Sequence, residues 1–190
     1  MQETKHIAIF ASGTGSNALA IINYFTNHKI IKVALVVTNN ADAGVLGIAE
    51  DNNIPSLIIS RAELNNEQFF LPLLELYKVD FIALAGFLQL MPLYLVKHFD
   101  KRMVNIHPAL LPKFGGKGMY GIKVHEAVST AGETETGITI HYVTEHYDEG
   151  APILQQKVGV EPADSPAVIA AKVLRIEHEY YPKVIEQLLS

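Results

Sequence analysis

The chain has 190 residues, 49% of them hydrophobic and 18% charged, with a formal net charge of −5, which suits one soluble globular domain with a sizeable core. It contains no cysteine, which excludes a disulfide framework, a thiolate nucleophile and a cysteine-ligated metal. Lys and Arg are not clustered, no run reaches the ~18 apolar residues of a membrane span, and the N-terminal apolar stretch is too short for a signal peptide, so the expectation is a cytoplasmic protein without nucleic-acid or membrane partners.

His6 to Ala11 is a short, nearly continuous apolar run, as expected of a strand buried on both faces of a parallel sheet. A Gly/Ser/Thr turn follows from Ser12 to Asn17, and Ala18 to Phe25 has helical character. Ile30 to Val37 predicts a second strand, and Ala43 to Asn52 a second helix with Asp42 as its N-cap. Leu57 to Ile59 predicts a third strand, and Leu64 to Tyr77 a helix in which Pro72 fits best near a start or kink. Asp80 to Ala85 and Lys101 to Ile106 predict strands four and five.

This alternation is the pattern of a doubly wound α/β sheet with right-handed crossovers. The pattern then changes. Gly115 to Gly121 holds four glycines in seven residues and reads as a loop. Gly137 to Thr144 and Pro152 to Val160 read as two strands joined by a loop, a late antiparallel addition. Ser165 to Leu189 predicts a long final helix, with Ser165 as N-cap and Pro166 at the first helical position. The expected fold is therefore a single α/β domain over 1–190, Rossmann-like and mostly parallel, with a late antiparallel strand and a long C-terminal helix.

Gly13-Thr14-Gly15-Ser16-Asn17-Ala18 follows a predicted strand and opens a predicted helix. Glycine lets the backbone approach a ligand, and the free N–H groups of a helix start attract phosphate. The spacing matches a dinucleotide turn, but the acid that would hold the ribose after strand two is missing from Val37-Thr38-Asn39-Asn40. A single phosphate fits better than a dinucleotide. A strand-to-helix turn without a ligand is the plainer alternative.

Asn105 and His107 stand two apart at the end of strand five, so they project to the same side while Val104 and Ile106 point the other way. Pro108 keeps His107 out of helical geometry. An amide and an imidazole at a strand edge suit chemistry in which a carbonyl oxygen becomes an oxyanion. The plainer alternative is that His107 caps the strand by bonding a backbone carbonyl. An orienting carboxylate would favour the charged imidazole, and Asp148 is the most suggestive, with Glu145 and Glu149 close by. His141, inside a predicted strand, reads as a satisfied core histidine, and no spacing of His, Asp and Glu reads as a metal site.

Ser12-Gly13-Thr14-Gly15-Ser16-Asn17, Leu84-Ala85-Gly86-Phe87, Asn105-Ile106-His107-Pro108-Ala109-Leu110-Leu111-Pro112, His141-Tyr142-Val143, Asp148-Glu149-Gly150 and Glu177-His178-Glu179-Tyr180-Tyr181-Pro182 occur in that order. The set resembles the glycinamide ribonucleotide formyltransferases along nearly the whole chain. The resemblance implies formyl transfer from 10-formyltetrahydrofolate, a co-substrate, to the amine of glycinamide ribonucleotide in purine biosynthesis, by a monomer or homodimer that needs no metal. It implies that Asn105, His107 and Asp148 are catalytic. Gly15, Ser16, Asn17 and Glu177 would bind the nucleotide, the first three at its phosphate. Leu88, Gln89, Leu90, Met91, Asn105, Thr144, Glu145, His146, Tyr147 and Asp148 would line the folate site. The N-terminal half would thus hold the nucleotide phosphate and the C-terminal half the folate and the catalytic groups.

The sequence departs from the family pattern. Leu88-Gln89-Leu90-Met91 replaces the usual Met-Arg-Ile-Leu, and Arg61 is the nearest counterpart of a folate-contacting arginine expected after strand three. The segment from Lys113 to His125 is longer and richer in glycine than usual, and the chain stops soon after the last helix. The competing readings are a 10-formyltetrahydrofolate deformylase, which uses water as acceptor, a nicotinamide-dependent oxidoreductase, and a non-catalytic ligand-binding domain on the same fold.

Overall fold

The computed structural model describes residues 3–190. In chain order the elements are β1 (Lys5–Phe10), α1 (Ser16–Phe25), β2 (Ile31–Thr38), α2 (Val45–Asp51), β3 (Ser56–Ile58), α3 (Arg61–Leu64), α4 (Glu67–Leu76), β4 (Phe81–Leu84), α5 (Leu93–His98), β5 (Met103–His107), α6 (Ile122–Thr130), β6 (Glu135–Tyr142), β7 (Pro152–Gly159) and α7 (Pro166–Leu189). They form one seven-stranded sheet in the order β3-β2-β1-β4-β5-β6-β7. The first five strands are parallel, β6 is antiparallel to β5, and β7 is antiparallel to β6. The winding reverses between β1 and β4. In open α/β sheets the crevice outside the strand ends at such a reversal is where ligands bind.

Alternation along the strands explains why the apolar runs are continuous. Ile7, Ile9, Phe81, Ala83, Val104 and Ile106 face one core, shared with residues of α1, α2, α6 and α7. Ala8, Phe10, Ile82, Leu84 and Met103 face a second core, with residues of α3, α4 and α5. A strand covered on both faces cannot carry the polar half of an amphipathic pattern. Tyr181 of α7 fastens helix to sheet at the strand ends, its buried hydroxyl lying 2.8 Å from the Leu84 carbonyl and 3.1 Å from that of Val104.

Several local expectations are corrected. The helix expected over Leu64 to Tyr77 is two helices, because Ser60 and Asn66 each act as an N-cap. Ser60 forms a capping box with Glu63, and Asn66 accepts from the Phe69 N–H at 3.2 Å. Pro72 lies in the interior of α4, not at a start. Asp42 does not cap α2, which begins at Val45 behind Gly44; the Asp42 N–H is itself taken by the Asn40 side chain at 3.0 Å. Helices α5 and α6 were not expected. The second of these has a readable signal in its buried Val124 and Val128, four residues apart. Ser165 caps α7 as expected, accepting from the Val168 N–H with Pro166 in the first turn.

Candidate active site

A cavity of about 930 Å³ runs over the ends of β1, β4 and β5, bounded by α6, α7 and the β6–β7 connection. Its floor is held together by backbone. The Ser12 N–H, just after β1, donates to the Gly86 carbonyl, just after β4, at 3.0 Å. Ser12, Gly13, Glu177 of α7, Leu88 to Met91, Val143, Thr144, His146, Tyr147 and Asp148 all line it, and the Ser12 hydroxyl accepts from the Leu88 N–H at 3.0 Å. Asn105 and His107 line it too.

The β5 strand places Asn105 and His107 on one side, and Val104 and Ile106 are buried in packing on the other. Antiparallel pairing sets His141 of β6 directly opposite Asn105. The His141 Nδ1 lies 2.9 Å from the Tyr142 carbonyl, and its Nε2 lies 3.1 Å from Asn105 Nδ2 and 3.6 Å from Asp148 Oδ1. The expectation that His141 is only a core histidine is therefore too narrow: it is buried, and it also orients Asn105. Asn105 Nδ2 also reaches Asp148 Oδ1 at 3.4 Å.

His107 is buried, with both ring nitrogens occupied. Its Nε2 donates to the Phe114 carbonyl at 2.8 Å, and its Nδ1 faces Asp148 Oδ2 at 3.4 Å. Two acceptors, one of them a carboxylate, suit an imidazolium with a proton on each nitrogen. Burial works the other way and prevails, holding the His107 pKa below the usual histidine value, while Asp148 and the Phe114 carbonyl pull it up.

Asp148 sits in the left-handed backbone region at φ 58°, which Asp tolerates better than most residues. Burial opposes its charge, but the His141 side chain, the His107 charge and the Gly116 N–H, 2.9 Å from Oδ2, together hold its pKa below the ordinary carboxylate value. Glu177 is the opposite case. It is 7% exposed, and burial pushes its pKa up to about 7 although Asn17 Nδ2 donates to it at 2.8 Å. Asn17 Oδ1 is buried without a partner.

Asn105, His107 and Asp148 thus converge, with His141 added. Leu88, Gln89, Leu90, Met91, Thr144, His146, Tyr147 and Glu177 line the cavity. Gly15, Ser16 and Asn17, at the start of α1, are not among the lining residues, and Asn17 bonds the lining residue Glu177. Glu145 is exposed and outside the lining. Arg61 is a clearer correction: it heads α3, exposed and outside the lining, because the Ser60 cap starts a helix there. Sequence reasoning missed His125 of α6. It lines the cavity at 5% exposure, its Nδ1 has no partner, and burial first, then the His107 charge, lowers its pKa. Among the described residues, no group of three or more His, Cys, Asp or Glu could hold a metal ion, and no helix is long and apolar enough to cross a membrane.

Residues 5–185 match the model of the formyl transferase family. The chain belongs to that family. A phosphoribosylglycinamide formyltransferase of Bacillus subtilis is 36% identical, over 98% of this chain and 95% of that protein. A chloroplastic phosphoribosylglycinamide formyltransferase of Arabidopsis thaliana is 44% identical over 187 residues, 95% of this chain. This chain spans 64% of that plant protein's length and 61% of a similar one from Vigna unguiculata. Among solved structures, glycinamide ribonucleotide transformylase 1 of Geobacillus kaustophilus superimposes with a TM-score of 0.87 at 34% identity, covering 99% of this chain and all of that one. The doubly wound formyl transferase fold and the family agree with the reading of the motifs.

Proposed function

We propose that the chain, acting as one formyltransferase domain, moves the formyl group of 10-formyltetrahydrofolate to the amine of glycinamide ribonucleotide, a step of purine biosynthesis. One observation carries this reading: a single cavity of about 930 Å³ brings Asn105, His107 and Asp148 together with Ser12, Gly13 and Glu177 and with the mainly apolar Leu88 to Met91. Two large substrates meeting at one centre need that room and both kinds of lining. The names of the Bacillus, Arabidopsis and Geobacillus relatives support it.

In the proposed step the nucleotide amine attacks the formyl carbon, a C–N bond forms, and the carbonyl oxygen takes the negative charge. The His107 Nε2–H, given to the Phe114 carbonyl, turns to that oxygen, and an Asn105 N–H adds to it. Asp148, ionised at neutral pH, favours the charged imidazole and accepts the amine proton through water. The oxyanion then collapses, the bond to N10 of the folate breaks, and N10 takes a proton. No covalent enzyme intermediate is required. Gly15, Ser16 and Asn17 bind the phosphate at the start of α1, and Glu177 binds the ribose or glycinamide end. The proposed setting is the cytoplasm, and the proposed assembly a monomer or homodimer.

The test mixes purified protein with 10-formyltetrahydrofolate, with and without glycinamide ribonucleotide, and follows the deformylated folate by absorbance. Turnover that needs the nucleotide is expected. Turnover without it would make the protein a deformylase, and no turnover would leave a ligand-binding domain.

A further inference from the structure

The glycine loop is unused by the step above, yet it borders the cavity. Gly116, Lys117, Gly118, Met119 and Tyr120 are all lining residues. The loop is tied to the reaction centre at one point, the Gly116 N–H on Asp148 Oδ2 at 2.9 Å. Gly116 and Gly118 take φ of 92° and 91°, a region that favours glycine, so the residue between them is held out on a turn that other sequences make poorly.

That residue is the only lysine or arginine among the lining residues. Its neighbours in sequence are committed elsewhere. Lys113 is paired with Glu133 at 2.8 Å, and Lys123 lies over the Tyr120 ring at 4.6 Å. Among the described residues, Lys117 has no carboxylate partner within ion-pair distance. The lining also carries two acids, Asp148 and Glu177. Both proposed substrates are anions, one through the phosphate of the nucleotide and one through the glutamyl carboxylates of the folate. The Asp148 carboxylate, held ionised, repels both unless a cation meets them.

We infer that Lys117 is the cation of the glycine loop that binds an oxyanion of a substrate, phosphate or glutamyl carboxylate, and so sets specificity at the mouth of the cavity. This rests on the proposed transfer reaction. A flexible stem lets the ammonium follow an anion without a fixed fork, and its exposed position leaves it unpaired until the anion arrives.

The test measures KM for both substrates in the wild type, Lys117→Met and Lys117→Arg. The wild type must first show nucleotide-dependent transfer; if it does not, the functional reading fails and this inference falls with it. Given transfer, Lys117→Met is expected to raise one KM about tenfold with kcat nearly unchanged, the pattern of lost binding common to ground and transition states, and Lys117→Arg to recover most of the loss. A rise in the folate KM that disappears when the glutamyl carboxylates are converted to amides identifies the carboxylate. A rise in the nucleotide KM that disappears with the dephosphorylated nucleoside identifies the phosphate. Unchanged KM values for both substrates, or an equal rise with the analogues that lack the anion, would overturn the inference while leaving the transfer reaction intact.

Discussion

Asn105 and His107 stand on a strand paired on both sides, whereas Asp148 and Gly116 stand on loops that hold each other. The two halves of one centre are therefore positioned by different physics. Sheet hydrogen bonds and two packed cores fix the first pair. A left-handed backbone at Asp148 and one N–H from a glycine loop fix the second. A strand-borne group cannot move without disturbing the core, and a loop-borne one can.

Removing the central group should have the largest effect. His107→Ala is expected to lower kcat by roughly 10²–10⁴. Asp148→Asn should fall in the lower part of that range, because it leaves the ring in place but removes the charge that favours the imidazolium. Single-turnover rates with circular-dichroism melts would check both; a rate near wild type in either would break the proposed roles.

Glu177 extends the comparison to a third support, a helix. Its pKa is raised in the folded protein from 4.5 to about 7, so the folded state prefers the protonated acid. Its contribution to stability is complete below pH ~4.5 and is lost as pH rises through ~7, on the order of 3 kcal/mol in all. Glu177→Gln should therefore be more stable than wild type at pH 8 and lose most of that advantage near pH 4.5. Urea unfolding at both pH values measures the difference, and an advantage independent of pH would contradict the assignment.

The loop half can be tested with little risk to the fold. Gly116→Ala forces a side chain into a left-handed conformation, with no atom within 4 Å for the added Cβ to strike. The strain should shift the loop and weaken the bond to Asp148, lowering kcat about tenfold for roughly 1–2 kcal/mol while the melting temperature stays close to wild type. An equal loss of stability would mean that the loop is as firmly built as β5. The smallest effect should come from His141→Phe, which removes the ring nitrogen beside Asn105 and Asp148 and should cost about fivefold in rate.

The same contrast explains what could be read from sequence. Strands covered on both faces are written as continuous apolar runs, so β1, β2, β4 and β5 are legible, and period two puts Asn105 and His107 on one side. His107 bonds the Phe114 carbonyl, as the plainer reading expects, and also faces Asp148. The choice of Asp148 over Glu145 depends on a loop conformation that no periodicity records. The role of His141 depends on a pairing register that becomes visible only when β6 lies beside β5. Arg61 stands outside the cavity because capping by Ser60 governs that segment, and α6 is hard to read because only Val124 and Val128 carry apolar helical spacing there.

The most direct measurement follows the carbon itself. Protein is incubated with 10-formyltetrahydrofolate labelled in the formyl carbon and with glycinamide ribonucleotide, and the products are separated by mass. The expected result is label on the nucleotide, none as free formate, and loss of that product in His107→Ala. Label recovered as formate, with the nucleotide unchanged, would contradict a transfer centre shared by two substrates.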